Sequence, residues 1–499
     1  MLRPLTLDQD WPLHDLAASR RLEAAALARQ APHQLMERAG LSLARLILAL
    51  YPHGRRLWVL VGPGNNGGDG LLAASHLKQQ GWEVLAHQPL DTGAAAGSDA
   101  EHARQRAHAA GLQLIADLPE QAPDCDLVLD ALLGLGARAP QGELARAIAM
   151  INAQRAPVLA VDLPSGLCGN TGQALGQEVV RARHTLSLLS LKPGLLTGEG
   201  RHLAGDLWLD PLGEDPLSEP PGAWLSAATA WRRWPVQRQA SSHKGRQGDV
   251  LVLGGAPGMR GAAWLAASAA LAAGAGRVYA ALPDDDDRSW PARPELMRWP
   301  EAHWQDARRW QDLTLVVGCG GGAAIATRLP SVLRHARRLV LDADALNLIA
   351  ADADLQAQLQ QRAGHGLTTL ITPHPLEAAR LLGRPGAAAV QADRLGAALT
   401  LAQQLSCSVI LKGSGSVIAS PGHALAINAS GNAALATPGS GDVLAGWLGG
   451  LWAQAHEGKP HALALAGCSW HGAAAAGWAG PLRATELIER MATLHPAAA

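Results

Sequence analysis

An oxygen-rich glycine segment follows the apolar run at residues 57–61. Residues 62–70 read GPGNNGGDG. A glycine turn between a strand and a helix lets the backbone approach a phosphate or a sugar closely. The side chains of Asn65, Asn66 and Asp69 add oxygen atoms at the carboxyl end of the strand, where open α/β sheets bind ligands. The segment therefore predicts a ligand-binding site.

The same segment contains a GxGxxG frame, which is the pattern of a dinucleotide-binding turn. In such a turn, an acidic residue about 20 positions further on ends the second strand and binds the ribose hydroxyls. The second strand is predicted at residues 83–86, and Glu83 stands at its beginning. This position argues against a simple NAD-dependent dehydrogenase.

Two further apolar runs end in carboxylates, Asp130 after residues 127–129 and Asp162 after residues 158–161. Because the carboxyl ends of parallel strands meet at one edge of a sheet, we expect both side chains to lie beside the glycine segment. Together these groups could bind a hard cation through oxygen atoms, transfer a proton, or do both. Each aspartate taken alone could equally cap the turn that follows its strand.

A second glycine segment, at residues 439–442, reads GSGD and precedes an apolar helix. The free N–H groups and the positive dipole end of a helix N-terminus bind anions. Asp442, in the first helical turn, could accept the proton of a substrate hydroxyl during phosphoryl transfer, or it could only cap its helix. The chain contains no GxxxxGK[ST] sequence, so a Walker-type nucleotide site is excluded.

Other polar groups of the second half also follow apolar runs. LDADALN at 341–347 ends a strand with carboxylates, and TPHPLEAARLL at 372–382 places His374 and Glu377 where a strand meets a helix. LKGSGSVI at 411–418 offers Lys412 and small residues, which suit nucleotide phosphates.

Apolar runs alternate with helical patterns in both halves, which predicts α/β domains with mostly parallel sheets. The linker DPLGEDPLSEPPGA, at 210–223, separates them, and we predict domains at 1–215 and 223–499. The predicted strands are Leu57–Val61, Glu83–Ala86, Asp126–Asp130, Pro157–Asp162, His184–Leu189, Asp249–Leu253, Arg277–Leu282, Leu313–Val317, Leu339–Asp342, Thr368–Thr372 and Val409–Lys412. The predicted helices are Leu71–Gln80, Gly142–Asn152, His461–Trp478 and one that follows Asp442.

Composition excludes several classes of protein. The 499 residues have a net charge of -1 and no long basic run, so nothing indicates binding to nucleic acid or to an anionic membrane. The apolar stretch at 262–276 is too short to span a bilayer, and the N-terminal sequence lacks a signal-peptide pattern. Five scattered cysteines without a CxxC pair indicate reduced thiols in a cytoplasmic protein. We expect a homo-oligomer.

Five motifs of the first half, in order, resemble the NAD(P)H-hydrate epimerase family. They are LMERAG (35–40), GPGNNGGDG (62–70), DALLGLGARAP (130–140), AVDLPSGLCGNTG (160–172) and LKPGLLTGEGR (191–201). The resemblance implies a Rossmann-like domain that converts the R epimer of hydrated NAD(P)H into the S epimer and binds potassium. By motif, Asp162 would be the acid/base residue, and Asn66, Asp130 and Ser165 would surround the potassium ion. The residues that would bind the hydrate are Asn65, Asn66, Gly67, Gly68, Asp69, Gly134, Leu135, Gly136, Ala137, Arg138, Ala139, Pro140 and Asp162.

Residues 235–480 resemble ribokinase-like proteins and, more narrowly, the ADP-dependent NAD(P)H-hydrate dehydratases. The motifs that carry this resemblance are SHKG, RPELM (293–297), LDADALN, TPHPLEAARLL, LKG and GSGD. The implied reaction dehydrates the S epimer at the expense of ADP, with magnesium, and Asp442 activates the ring hydroxyl. By motif, Ala262, Gly322, His374 and Asp442 would contact the hydrate. The residues that would bind the adenine nucleotide are Lys412, Gly413, Ser414, Gly415, Ser416 and Gly441.

The second half departs from this family's pattern at three points. GCGGG (318–322) stands where GPGLG is usual, Leu376 stands where glycine is usual, and GAPGMRGAAW (255–264) matches loosely. Leucine is costly at position 376 if the backbone there needs a positive φ. Two other functions stay open: a small-molecule kinase of the ribokinase class fused to a binding module, and a first domain that is a non-catalytic ligand-binding scaffold.

Overall fold

The structure, a computed structural model, describes residues 2–90, 93, 95–136, 138–235, 241–283, 293–305, 307–455 and 459–495. The chain divides into two compact units. The first comprises Met1–Thr6 and Trp11–Trp224, and the second comprises Leu7–Asp10 and Leu225–Ala499. The domain limits that we predicted, 1–215 and 223–499, stay a prediction.

The first unit contains an eight-stranded sheet in the order β1-β9-β8-β7-β6-β3-β4-β5, which is parallel except where β1 joins β9. The strands are β1 (Arg3–Pro4), β3 (Arg56–Val61), β4 (Glu83–His87), β5 (Leu114–Ile115), β6 (Leu127–Ala131), β7 (Val158–Val161), β8 (His184–Leu188) and β9 (Asp206–Asp210). The helices are α1 (Leu16–Arg29), α2 (Gln34–Leu50), α3 (Asn65–Gln79), α4 (Asp99–Ala109), α5 (Glu143–Ala153) and α6 (Gly200–Leu203). Two short strands, β2 (Trp11–Leu13) and β10 (Ala223–Leu225), lie where the chain passes between units.

Strand order determines where this sheet can hold a ligand. From β3 the chain runs to β4 and β5 on one side, and it then returns to β6 on the other side of β3. The connections after β3 and β6 therefore diverge, and such a switch point is where open α/β sheets bind ligands. Helices cover both faces, since α2 and α3 pack on one side of the sheet and α5 packs on the other.

The sheet of the second unit runs β13-β12-β11-β14-β15-β16-β17-β18-β19, and it is parallel up to β17 and antiparallel beyond. Its strands are β11 (Asp249–Leu253), β12 (Arg277–Ala281), β13 (Leu296–Arg298), β14 (Leu313–Val317), β15 (Arg338–Leu341), β16 (Thr368–Ile371), β17 (Ser408–Leu411), β18 (Ser416–Ala419) and β19 (Leu425–Asn428). Its helices are α7 (Arg260–Ala272), α8 (Ala307–Gln311), α9 (Leu329–His335), α10 (Ala343–Ala351), α11 (Ala353–Gln361), α12 (Pro375–Leu381), α13 (Ala387–Gln391), α14 (Arg394–Gln404), α15 (Ser440–Gln454), α16 (Pro460–Ala474) and α17 (Ala484–Thr493).

Alternate residues of one strand enter separate cores of the second unit. Val250 and Val252 of β11 pack with the helices that include α7 and α15, whereas Leu251 and Leu253 pack with those that include α9 and α10. This burial on both faces explains why the strands read as continuous apolar runs. The predicted fold class, α/β with mostly parallel sheets, is confirmed.

Close helix packing positions the helix that carries Asp442. A β-carbon at Gly446 of α15 would overlap the carbonyl oxygen of Ala266 in α7, and one at Gly450 would overlap that of Ala270. The two glycines lie one turn apart on the same face of α15, so they let the two helix backbones touch. Asp442 lies at the start of this helix, one turn before Gly446.

We predict that Gly446→Ala destabilises the second unit. The added methyl group must push α15 away from a backbone carbonyl, and overpacking of this kind costs about 1–3 kcal/mol. Urea unfolding of the purified variant measures the change in the free energy of unfolding.

The matched control is Gly261→Ala, which places the same substitution in α7, where a β-carbon meets no atom within 4 Å. Because alanine favours helix more than glycine, this variant should keep or gain up to about 1 kcal/mol. Equal effects of the two substitutions would contradict the packing argument.

Candidate active sites

The glycine segment of the first unit differs from the loop that we predicted. Gly62–Gly64 form the turn after β3, and α3 begins at Asn65, so Asn65, Asn66 and Asp69 lie in the first turns of a helix. Tertiary packing explains the difference. A β-carbon at Gly67 would overlap the carbonyl oxygen of Gly62, and one at Gly70 would overlap the side chain of Ala131. The glycines therefore serve close packing of the helix on the sheet, which sequence pattern alone does not show.

A cavity of about 420 Å³ lies at the carboxyl ends of the first unit's strands. The predicted site residues that line it are Asn65, Asn66, Asp69, Gly134, Leu135, Gly136 and Asp162. Gly67 and Gly68 are buried, and Arg138, Ala139 and Pro140 are not among the residues that line the cavity. Ala137 lies outside the described residues. The roles of all the predicted residues in binding a substrate stay predictions.

Asp162 is held in a strained conformation at the wall of this cavity. Its φ is 64°, a left-handed backbone that aspartate adopts only when the surroundings require it. Its side chain accepts hydrogen bonds from the backbone N–H of Leu188, at 3.0 Å, and from the ammonium group of Lys192. Lys192 also donates to the carbonyl of Leu188 at 2.9 Å and is only 1% exposed. The prediction of site residues missed Lys192, although LKPG at the end of an apolar run was the signal that could have identified it.

Asp130 lies fully buried behind the same strand ends. Its carboxylate accepts hydrogen bonds from the hydroxyl of Ser165 at 2.6 Å and from the N–H of Ser165 at 2.8 Å. The N–H of Leu133 in turn donates to the Ser165 hydroxyl at 2.9 Å. No basic side chain in the described part of the chain pairs with Asp130, and burial raises its pKa from 3.8 to about 6. Asn66 lies beside Gly134, and its side-chain nitrogen is buried without a partner among the described residues.

The predicted carboxylates of the second unit converge at the carboxyl ends of its strands. One potential ligand atom from each of Cys319, Asp342 and Asp442 lies within 4.8 Å of the other two. The Cys319 thiol is buried and hydrogen-bonded to Asp442, and burial raises the pKa of this thiol well above its ordinary value. Burial and the nearby Asp342 raise the pKa of Asp442 to about 6, and the Cys319 hydrogen bond opposes this shift. Cys319, the departure in GCGGG, therefore contacts the candidate base directly.

A partly buried ion pair lies beside Asp442. The ammonium group of Lys412 donates to Asp342 at 2.5 Å, and Asp342 is 1% exposed. The same ammonium group lies near Gly441, 3.4 Å from the position that a β-carbon would take there. Lys412 thus lies near the N-terminus of α15, where its charge and the helix N–H groups favour an anion.

The predicted nucleotide loop is shaped by an arginine that the sequence prediction missed. The fully buried Arg394 donates to the carbonyls of Leu411, Lys412 and Gly415, each at 3.3 Å. Gly413 packs against this guanidinium at a φ of 140°, and the Ser416 hydroxyl donates to the Gly413 carbonyl at 3.2 Å. Ser414 lies in the turn between these residues.

Of the remaining predicted residues, Gly322 lies in the turn after β14, and Ala262 lies in the first turn of α7. The N–H of Gly322 donates to Asp344 at 2.9 Å. The Ala262 side chain packs against the turn that contains Gly320, 2.9 Å from where a β-carbon would lie at that glycine. The second contact places the start of α7 against the turn after β14. Direct contact of Ala262 or Gly322 with a substrate stays a prediction.

His374 caps helix α12, and its partner Glu377 is buried. The Nδ1 atom of His374 accepts from the N–H of Leu376 at 3.1 Å, and Glu377 accepts from the N–H of His374 at 2.8 Å. Burial raises the pKa of Glu377 to about 7. Leu376 has no positive φ, so the predicted strain at this departure from the family pattern is absent. The His374 side chain remains 45% exposed and able to contact a ligand.

Fold and sites together define a class of protein: a bifunctional α/β enzyme with one carboxylate-centred site at the strand ends of each unit. No described helix has the length and apolar character needed to cross a membrane.

Comparison with known proteins identifies the family. A family model for NAD(P)H-hydrate dehydratase matches residues 250–491, and one for the YjeF-related protein N-terminus matches residues 32–194. The bifunctional NAD(P)H-hydrate repair enzyme of Escherichia coli is 37% identical over 93% of this chain and 88% of its own length. The bifunctional NAD(P)H-hydrate repair enzyme of Gloeobacter violaceus is 39% identical over 93% of this chain and 92% of its own length. The chain belongs to the family of bifunctional NAD(P)H-hydrate repair enzymes.

One solved structure among the similar ones is the ADP/ATP-dependent NAD(P)H-hydrate dehydratase of Bacillus subtilis, co-crystallized with ATP and Mg²⁺. It is 30% identical, covers 53% of this chain and 94% of its own, and superposes with a TM-score of 0.42.

The burial of Asp130 predicts a pH-dependent stability. Its pKa is about 6 in the folded chain and 3.8 ordinarily, so the folded chain binds more protons between these values. The free energy of unfolding should therefore fall as the pH rises from 4.5 to 6.5, by on the order of 2 kcal/mol from this group. Asp130→Asn should lack this contribution, which urea unfolding in buffers free of alkali metal ions measures.

Asp126→Asn is the control, because Asp126 lies beside the same strand. Hydrogen bonds from the N–H groups of Arg55 and Arg56 lower the pKa of Asp126. The contribution of Asp126 to the free energy of unfolding should therefore be constant above pH 4.5. If the difference in stability between Asp130→Asn and the parent did not change with pH, as is expected for Asp126→Asn, the pH dependence could not be assigned to Asp130.

Proposed function

We propose that the chain converts hydrated NADH and NADPH back into NADH and NADPH. It does so in two steps, in the domains predicted at 1–215 and 223–499. The first domain epimerises the R hydrate to the S hydrate. The second dehydrates the S epimer at the expense of ADP and releases AMP and phosphate. The observation that carries this proposal is the pair of separate carboxylate sites, each at the strand ends of its own unit, in a chain of this family.

In the second domain, Asp442 accepts the proton of the ring hydroxyl while that oxygen attacks the terminal phosphoryl group of ADP. The phosphorylated hydroxyl is a good leaving group, and its elimination as phosphate forms the ring double bond. Lys412 and the N–H groups at the start of α15 stabilise the phosphate charge. This role is supported by the Lys412 ammonium group beside Gly441.

Magnesium, when bound with the nucleotide, would neutralise phosphate charge, and the carboxylate of Asp342 fits it as an oxygen ligand. The Cys319 thiol does not fit magnesium as a ligand, because its raised pKa keeps it protonated and its hydrogen bond goes to Asp442. Ala262, Gly322 and His374 are proposed to contact the hydrated ring. Lys412, Gly413, Ser414, Gly415, Ser416 and Gly441 are proposed to bind the adenine nucleotide.

In the first domain, potassium fits the group formed by Asn66, Asp130 and Ser165. Asp130 is a fully buried carboxyl without a basic partner in the described part of the chain, and a cation would favour its charged form. The buried amide of Asn66 has an unsatisfied nitrogen, and turning the amide over would present its oxygen instead. The set offers oxygen ligands, which suit a hard cation. When bound, potassium would supply fixed positive charge beside the cavity.

The free cysteines of the described chain are consistent with a reducing, cytoplasmic location. The homo-oligomer stays a prediction.

Incubation with a mixture of hydrate epimers tests the proposed function. With ADP, NAD(P)H absorbance should rise until nearly all of both epimers is converted, and without ADP it should not rise. Accumulation of a phosphorylated alcohol without NAD(P)H would instead favour a small-molecule kinase of the ribokinase class.

Asp442→Asn should lower ADP-dependent dehydration of the pure S epimer by about 10²-fold or more, because an amide cannot accept the proton. In the parent, this rate should rise with pH through about 6, where Asp442 loses its proton. Cys319→Ala removes a hydrogen bond that favours the charged form of Asp442. The rise of the dehydration rate with pH should therefore move to higher pH in this variant.

The reciprocal control is Asp162→Asn. It should leave dehydration of the S epimer near the parent rate and leave the R epimer to convert only as fast as it epimerises spontaneously. Parent-like dehydration by Asp442→Asn would show that Asp442 only caps α15.

Potassium chloride should raise the unfolding temperature of the parent above its value in tetramethylammonium chloride. It should not do so in Asp130→Asn, which lacks the charge that the ion would pair with. Metal analysis that finds stoichiometric zinc in the purified protein would overturn the potassium assignment.

A further inference from the structure

Two carboxyl groups with opposite surroundings line the cavity of the first unit. Asp162, after β7, is held by the ammonium group of Lys192 and the N–H of Leu188. Asp69, on α3, forms no hydrogen bond or ion pair with the described residues and lines the same cavity. One carboxyl is thus bonded to a cation and to a backbone donor, whereas the other has neither.

Helix capping does not explain Asp69. The N-cap of α3 is Gly64, the helix has no side-chain cap, and no acidic residue lies in its first turn. Asp69 comes later, where a carboxylate gains little from the helix dipole. It faces the cavity with a carboxyl group that the fold itself does not use.

The charges around Asp69 favour its protonated form. Burial is the main cause of a pKa raised well above the ordinary value, and the carboxylates of Asp162, Glu23 and Asp99 add to it. Lys192 opposes the shift, but its ammonium group is bonded to Asp162. Arg20 also lines the cavity. Two carboxyls in one site with such different surroundings can act as an acid and a base.

We infer that Asp69 is a second catalytic residue of the epimerase site: Asp69 protonates the departing ring hydroxyl, and Asp162, positioned by Lys192, deprotonates the water that returns. This inference rests on the proposed epimerisation of hydrated NAD(P)H. To that proposal it adds Asp69 as the acid, Lys192 as the residue that positions Asp162, and the exchange of the ring hydroxyl oxygen with water.

The steps balance without a further reactant. Asp69 gives its proton to the hydroxyl on the hydrated carbon, the carbon–oxygen bond breaks, and water leaves. The lone pair of the ring nitrogen forms a carbon–nitrogen double bond, which gives an iminium ion. Water then adds to the opposite face, a new carbon–oxygen bond forms, and Asp162 takes the proton. Exchange with solvent returns Asp69 to its acid form and Asp162 to its base form.

Asp69→Asn tests the acid. The variant keeps the shape of the side chain but cannot donate a carboxyl proton, so kcat for R-to-S conversion should fall by about 10²-fold with little change in KM. The parent's rate should fall at high pH as Asp69 loses its proton, and the variant's residual rate should lack this alkaline limb. Asp99→Asn and Glu23→Gln, which alter other carboxylates at the same cavity, should each keep the alkaline limb and most of kcat.

Oxygen exchange tests the route. In water enriched with ¹⁸O, the parent should place ¹⁸O in the ring hydroxyl at the rate of epimerisation, and Asp69→Asn should lose exchange and epimerisation together. Epimerisation by the parent without exchange would overturn the inference. A change confined to KM, or no change, in Asp69→Asn would also overturn it.

Lys192→Met tests the positioning residue. Without the ammonium group, Asp162 loses the partner that holds its carboxylate at the cavity wall, so kcat should fall with little change in KM, and Lys192→Arg should restore part of the parent's kcat. A parent-like kcat in a folded Lys192→Met variant would remove Lys192 from the inference. If the parent does not epimerise the hydrate at all, the proposed function fails, a result separate from every outcome above.

Discussion

A parallel sheet covered by helices on both faces leaves the carboxyl ends of its strands as the place where a ligand can reach it. Both units of this chain are built in this way, and candidate groups of both lie at strand ends: Asp130 and Asp162 in the first unit, Asp342 and Lys412 in the second. The helices that begin at these edges add N–H groups to the sites. The close contact of α7 with α15 places one such helix start, and with it Asp442.

Placing carboxylates at buried strand ends costs solvation energy, and the protein meets this cost in two ways. Asp162 pairs with the buried Lys192, and Asp342 pairs with the partly buried Lys412, so each of these two carboxylates has a cation beside it. Asp69, Asp130 and Asp442 have no direct ion pair in the described residues, and burial raises the pKa of each. This difference suits neighbouring carboxyls to the distinct roles proposed for them, as acid, base or cation ligand.

Much of the fold follows from local pattern. The strands Asp249–Leu253 and Leu313–Val317 were predicted with the bounds that the structure has, because strands buried on both faces read as continuous apolar runs. The antiparallel pair β18 and β19 was not predicted, since glycines, serines and a proline interrupt its sequence. The start of α3 was placed too late, because GPGNNGGDG has the composition of a turn, whereas its glycines at 67 and 70 serve close packing against Gly62 and Ala131.

The sequence by itself determined the α/β class and the motifs that point to the family, as well as Asp162 and Asp442 as candidate catalytic groups. These follow from residue types at strand ends, which are local properties. Only the tertiary structure decided which groups meet: that Lys192 binds Asp162, that Cys319 binds Asp442, and that Arg394 shapes the nucleotide loop. The protonation of Asp69 and Asp130 also depends on the fold, because burial and neighbouring charges come from segments far apart in the chain.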